Sequence, residues 1–271
     1  VFNGSKKREF ADPDGLKAFV KESTQRIREA PIFGNYKKLG TPMLVDLLNE
    51  AGAFPTRYWS KGQSKFRDKI NAPAMQEIMD VKPHACRHCP VACGKLSTIK
   101  KGPHKGLTIE GPEYETIFAF GGLCEIGSIE EITYLNDLCD RLGMDTISAG
   151  NLCGFVMEAC ERGKIDEKIS YGDANATAEL LEKIASRQGI GDILANGIVE
   201  TAKAWDMEDV AIHVKGLEPA GYDPRTLKGV GLGYAVSPRG ACHMRATFYK
   251  PELFGQIPME QIKGKAVLFK D

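Results

Sequence analysis

Apolar residues recur at three- and four-residue intervals over most of this chain, in segments of about 10 to 18 residues that end at glycine or proline. Residues 10–29 form the first. Asp12 can cap it, Pro13 suits its first turn, and Leu16, Phe19, Val20 and Ile27 make an apolar stripe before Pro31 ends it. Thr41-Pro42 reads as an N-cap and first-turn pair for a helix carrying Met43, Leu44, Leu47 and Leu48 and stopping at Gly52. An irregular segment, 54–59, follows. A polar stretch over 60–80 comes next, with a short helix expected near 73–80. Strands are expected only over 94–112, at Leu96 to Ile99 and Leu107 to Ile109, joined by the turn Lys101-Gly102-Pro103-His104. A helix opens behind Pro112. Ser128 with Glu131 predicts a capping box, then Ile132, Leu135, Leu138 and Leu142 on one face and Gly143 as the stop. Asp145 predicts the cap of a helix running to about Glu161. Asp173 and Asp192 predict the caps of two more, with Leu180, Leu181 and Ile184, then Leu194, Ile198 and Ala202, as buried stripes. The expected fold is all-α and multihelical, with a small β-hairpin.

The texture changes near residue 206. Gly and Pro crowd the span from Gly216 to Gly240, and periodic apolar positions become few. This reads as loops over a site. No internal repeat or low-complexity segment is visible.

Composition narrows the function classes. Hydrophobic residues make up 42% of the 271, enough for a sizeable core. Lys plus Arg equals Asp plus Glu at 36 each, so no broad basic face for nucleic acid or an anionic membrane is implied. No apolar run approaches the roughly 18 residues of a membrane span. The start, Val1 to Arg8, has no initiator Met and no signal-peptide core, and reads as the middle of a longer chain. Eight cysteines at these spacings do not make a disulfide scaffold and fit a reducing cytoplasm.

Three of those cysteines carry the chemistry. Cys86, Cys89 and Cys93 stand at C-x2-C-x3-C spacing in one tight loop, with Pro90 after the second and Gly94 after the third. Such a loop offers three thiolates to one point. An iron–sulfur cluster takes them and usually a fourth. Tetrahedral zinc is the alternative, with His84 or His88 as a further ligand. The other five cysteines lie on apolar stretches and read as packed thiols.

Several segments, in order, resemble one family. They are Ala11-Asp12-Pro13; Asn49-x-x-Gly52-x-x-Pro55-Thr56-Arg57; the cysteine loop; Gly111-Pro112-Glu113-Tyr114-Glu115-Thr116; Asp140-Arg141-Leu142-Gly143-Met144-Asp145-Thr146-Ile147; Tyr222-Asp223-Pro224-Arg225; and Arg239-Gly240-Ala241-Cys242-His243. Together they are similar to the C-terminal helical region of the aldehyde ferredoxin oxidoreductases. Those enzymes use a tungsten (or molybdenum) bis-pterin and one [4Fe-4S] cluster. The resemblance divides the chain into helical domain 2 over 1–214 and the start of domain 3 over 215–271. It implies an N-terminal β-rich pterin-binding domain before this region. It also implies a later D-x-x-G-L-C motif with the fourth cluster thiolate beyond Asp271.

The resemblance also assigns roles. Cys86, Cys89 and Cys93 would be cluster ligands. Asp140, Gly143, Met144 and Asp145 would contact a pterin, with Met144 where leucine is more usual; the residues alone suggest helix capping there. Glu115 and His243 would serve proton chemistry at the metal, with Tyr222 on the substrate side. Glu113 competes with Glu115 from the same turn. Spacing by itself reads Glu115 as a first-turn helix acid and His243 as a core histidine. Asp223 and Arg225 read as a loop-pinning ion pair, and His84, His88, His104 and His213 as surface or loop residues. Trp59 and Trp205 read as packing.

The reading is therefore a fragment of a tungsten enzyme oxidising aldehydes to acids, passing electrons to ferredoxin and not active alone. Its partners would be ferredoxin, an aldehyde and the missing pterin-binding domain, with no nucleic acid or membrane; a homo-oligomer stays open. The alternatives are a tungsten-dependent aromatic acyl-CoA reductase subunit and a non-catalytic iron–sulfur or zinc scaffold.

Overall fold

The computed structural model describes residues 9–245 and 247–255, together with Gly4. Apart from Gly4, the terminal stretch Val1 to Arg8 and the end of the 215–271 segment lie outside the described residues. Helices dominate, as the periodicity predicts, around one small antiparallel sheet.

α1 (Pro13–Glu29) begins as expected, with the Asp12 carboxylate accepting from the Gly15 amide at 2.8 Å. Its apolar stripe is not covered: Phe19 is 67% exposed and α1 has no buried residue. Pro31 does not simply end the helical run. It is the first residue of α2 (Pro31–Leu39), because proline lacks only an N–H that a first-turn residue leaves unbonded anyway. A 3-10 turn (Thr41–Met43) then leads into α3 (Leu44–Glu50), and Thr41 does not cap it. α4 (Arg67–Ile70) and α5 (Ala72–Ile78) complete the first third.

The sheet has one strand more than the sequence suggested. β1 (Met79–His84), β2 (Gly94–Ile99) and β3 (Thr108–Glu110) pair antiparallel in that order. β1 was hidden because its alternation is weak: after Met79 its residues are largely exposed. The gain for function is topological. His84 pairs with Gly94, so residues 85–93, with all three loop cysteines, are the β1–β2 connection.

Behind Pro112, α6 (Tyr114–Thr116) opens into a π-helical turn, Ile117–Leu123, whose seven residues are all buried. π-turns often mark functional sites. α7 (Ile129–Leu142) ends on Gly143 in the left-handed conformation that favours glycine. Only half of its capping box forms: Ser128 Oγ accepts from the Glu131 amide, while the Glu131 carboxylate meets His104. α8 (Thr146–Glu161) is capped by Asp145 through the Ser148 amide and is buried along most of its length. α9 (Ala174–Ser186) is capped by Asp173 as expected. Asp192 is not a cap: it lies inside α10 (Ile190–Leu194) and pairs with Arg187. α11 (Ile198–Ala204), α12 (Lys228–Val236) and α13 (Tyr249–Leu253) follow, so the Gly-rich last third also contains helix.

α8 packs against the π-turn, with Trp59 bonded to Asn151 at 2.9 Å and Trp205 stacked on Phe155. Gly150 is where the backbones meet. A Cβ there would stand 2.5 Å from the Ala119 Cβ and 2.8 Å from its carbonyl oxygen. Gly150→Ala should therefore destabilise the protein. Overpacking costs about 1–3 kcal/mol, and alanine recovers at most about 1 kcal/mol of helix propensity. The expected result is a thermal midpoint lower by a few degrees; an unchanged midpoint would mean that the contact is loose.

Candidate active site

Three residues far apart in sequence meet at one end of the helical core. The meeting depends on a clamp. Consecutive residues of α6 grip the two sides of one residue: the Tyr114 hydroxyl donates to the Gly221 carbonyl, and the Gly221 amide donates to Glu115 Oε2 at 2.8 Å. Gly221 tolerates no side chain, since a Cβ would lie 2.5 Å from Cγ of buried Phe118. The Tyr234 hydroxyl holds the Ala220 carbonyl, and the Asp223 amide donates to the Ala53 carbonyl at 3.1 Å. Asp223 and Arg225 form the expected ion pair. The loop is thus fixed on both sides of Tyr222, which stacks on Tyr249 at 4.1 Å between ring centroids.

Held this way, Tyr222 faces His243, with centroids 5.6 Å apart. His243 Nε2 lies 3.6 Å from Glu115 Oε1. That oxygen is sealed from solvent and has no hydrogen bond of ordinary length.

The electrostatics follow from burial. The Glu115 carboxyl is pushed up to about 7, first by desolvation and also by the Asp145 charge, against the Gly221 amide and the Tyr222 hydroxyl. His243 is pushed down to about 4, first by burial, then by Arg239, with Asp145 opposing. The imidazole is neutral near neutral pH, so the pair is not a fixed salt bridge. One group can hold or release a proton near pH 7, and a neutral ring beside it can donate or accept a hydrogen bond.

A cavity of about 440 Å³ joins this pair to the cysteine loop. Glu115, Tyr222, His243 and Tyr249 line one part, Val91 and Cys93 another. Glu113 belongs to the second part. It is bonded to the Thr41 hydroxyl, which also accepts from the Tyr114 amide, and its charge raises the Cys93 thiol behind the larger effect of burial. Thr41 therefore caps α6 across the chain instead of its own helix. Glu113 and Glu115 differ in surroundings: the first acts on the Cys93 thiol, and the second lies beside His243.

Cys86 is exposed, and Cys89 and Cys93 are half-buried. The Cys89 amide donates to the Cys86 carbonyl at 2.9 Å, closing the turn. Three thiols on one β1–β2 connection are a donor set that fits an iron–sulfur cluster. Among the described residues no three His, Cys, Asp or Glu side chains converge on a single metal-ion position, the three loop thiols included.

The Asp140–Asp145 turn lies on another side. Asp140 is exposed and accepts from Asn136 at 2.9 Å. Gly143 makes the left-handed stop, and Met144 and Asp145 line a cavity of about 250 Å³ with Ser148 and Glu218. Asp145 also borders a smaller cavity containing Arg239 and His243. It thus connects the turn to the Glu115 pair, while Asp140 stands apart.

Sequence reasoning missed Tyr114 as the clamp, Tyr249 as the stacking wall and buried Glu218, which accepts from the Ser148 hydroxyl at 2.9 Å. Tyr114 stands in the Gly111–Thr116 segment, but nothing in that segment marks it as a clamp, and Tyr249 and Glu218 belong to no spacing pattern. Tyr114 and Glu218 act on residues 107 and 70 positions away, and Tyr249 stacks on Tyr222 across a loop.

The family model described as aldehyde ferredoxin oxidoreductase, domains 2 and 3, matches residues 18–271. The tungsten-containing aldehyde ferredoxin oxidoreductase of Pyrococcus furiosus is 35% identical, over 93% of this chain and 42% of its own length. That of Thermococcus kodakarensis is 34% identical, over 99% of this chain and 46% of its own. The chain thus spans less than half the length of these relatives. Among solved structures, the active-site complex BamBC of benzoyl coenzyme A reductase superposes with a TM-score of 0.60 at 20% identity. It covers 83% of this chain and 36% of that one, a likeness of fold.

Proposed function

Because this chain belongs to the aldehyde ferredoxin oxidoreductase family, we propose that it supplies the acid–base wall and the cluster loop of a tungsten (or molybdenum) enzyme that oxidises aldehydes to carboxylic acids. The observation that carries the proposal is the buried Glu115 carboxyl, raised to about 7 beside the neutral imidazole of His243.

The overall change adds one water to the aldehyde and releases two electrons and two protons. Bound tungsten bis-pterin and a [4Fe-4S] cluster supply the two-electron acceptor and the route to ferredoxin. This chain's residues do the rest. Glu115, ionised above about pH 7, takes the proton of the attacking water. His243 hydrogen-bonds the carbonyl oxygen as charge builds on it, and Tyr222 fixes the substrate side of the pocket. Asp145, with Met144 beside it, faces a cavity where pterin N–H groups can be accepted; Asp140 and Gly143 shape the turn. Cys86, Cys89 and Cys93 hold the cluster. The number and spacing of the eight cysteines suit a reducing cytoplasm. No helix among the described residues is long and apolar enough to cross a membrane.

Reduction of an aromatic acyl-CoA is the second reading, favoured only by the shared fold. Anaerobic purification of the complete protein tests the proposal. Tungsten or molybdenum with about four irons per chain and aldehyde-dependent reduction of a viologen dye are expected. Zinc alone, or turnover only with an acyl-CoA, would overturn it.

A further inference from the structure

β2 breaks the inside–outside rule. Its inward positions are Lys95, Ser97 and Ile99, while Leu96 faces out at 39% exposure. A lysine buried to 1% exposure stands where an apolar residue belongs, next to a leucine that could fill the place after a one-residue slip. The register excludes that slip: Pro83 faces Lys95 and Lys82 faces Leu96. Local rules are broken this way where function requires it.

The ammonium is not merely tolerated. Lys95 Nζ donates to the carbonyls of Tyr36 at 3.1 Å, Ala92 at 3.2 Å, Cys93 at 2.9 Å and Gly94 at 3.0 Å. Four acceptors share three N–H donors, as they would around a bound cation. Three of the four belong to the end of the cysteine loop and the first residue of β2. Ala92 is left-handed at φ +52, a conformation that side-chain-bearing residues disfavour and that here accompanies its carbonyl's bond to Nζ. The fourth acceptor ties the loop to α2. Gly40, just behind α2, leaves no slack, since a Cβ there would sit 2.9 Å from the Cys93 carbonyl oxygen and 3.1 Å from Lys95 Cγ.

We propose that Lys95 is the internal cation that holds the cysteine loop in its cluster-binding shape and raises the reduction potential of the cluster bound there. The inference rests on the iron–sulfur reading of Cys86, Cys89 and Cys93. Reduction adds negative charge to the cluster, and a fixed positive charge bonded to the Cys93 carbonyl stabilises that state. The carbonyl cage makes Lys95 a positioning residue in addition, as outer-shell groups orient ligands elsewhere.

The test uses the complete, anaerobically purified protein and two variants. Lys95→Met removes charge and donors; cluster loss to an iron chelator should speed up by roughly tenfold to a hundredfold. Lys95→Gln keeps two N–H donors without charge; it should retain more iron than Lys95→Met and show a lower midpoint potential in an electron paramagnetic resonance titration. A purely structural lysine would not move the potential of a fully loaded variant. An iron-replete Lys95→Gln protein with the wild-type potential overturns the inference while leaving the cluster reading intact. Wild-type protein without iron overturns both. If Lys95→Met does not fold, the Lys95→Gln titration decides alone.

Discussion

Glu115→Gln in the complete protein is expected to keep tungsten and iron content while lowering aldehyde turnover by about 10²–10⁴-fold, the usual range for loss of a general base. Glutamine is nearly isosteric, and its carbonyl can still accept from the Gly221 amide, so the clamp on the Tyr222 loop survives. The missing function is proton acceptance. A carboxyl raised to about 7 is mostly protonated at pH 6 and mostly ionised at pH 8. If the ionised form is the base, wild-type kcat should rise with pH through about 7 and level off, and the variant should lose that limb. Since His243 lies near 4, it stays neutral over this window and adds no limb of its own. Unchanged dye reduction in the variant would rule Glu115 out.

Cys89→Ser should abolish the cluster. Serine is too weakly acidic to supply the anionic ligand that iron takes from a thiolate. The loop turn itself survives, because the Cys89 amide still donates to the Cys86 carbonyl. The expected result is loss of the visible iron–sulfur absorbance and most of the iron, with electron transfer to ferredoxin lost as well. Cys160→Ser is the control. That half-buried thiol of α8 lies outside the loop, and its variant should keep the spectrum. An intact spectrum in Cys89→Ser would show that the ligand set is wrong.

The two alanine and methionine replacements in the Results act on packing and on the loop's internal cation, and their sites were not legible in the same way. Gly150 is one small residue in an apolar helix until the π-turn is seen against it. Lys95 precedes the strand expected from Leu96, and nothing local marks it for burial, since a lysine normally keeps its charge in water. Pro31 and Thr41 misled for a related reason. Each is a good helix-start signal, and each was assigned to the wrong helix boundary or the wrong partner.

Much was nevertheless determined by the sequence itself. Helix periodicity, the caps at Asp12, Ser128, Asp145 and Asp173, and the stop at Gly143 are local, so the helical class and most of its boundaries follow from residues a few positions apart. The spacing of Cys86, Cys89 and Cys93 likewise confines three thiols to one loop. Only the tertiary structure decided which of Glu113 and Glu115 faces His243, that Tyr114 clamps Gly221, and that Lys95 is buried beneath the cysteines. Those outcomes depend on burial and on contacts between residues as far apart in sequence as Glu115 and His243. Burial is what makes the chemistry: the same carboxyl on an exposed first turn would be an ordinary helix acid. Sealed between Gly221 and His243, it becomes a group that titrates near neutrality.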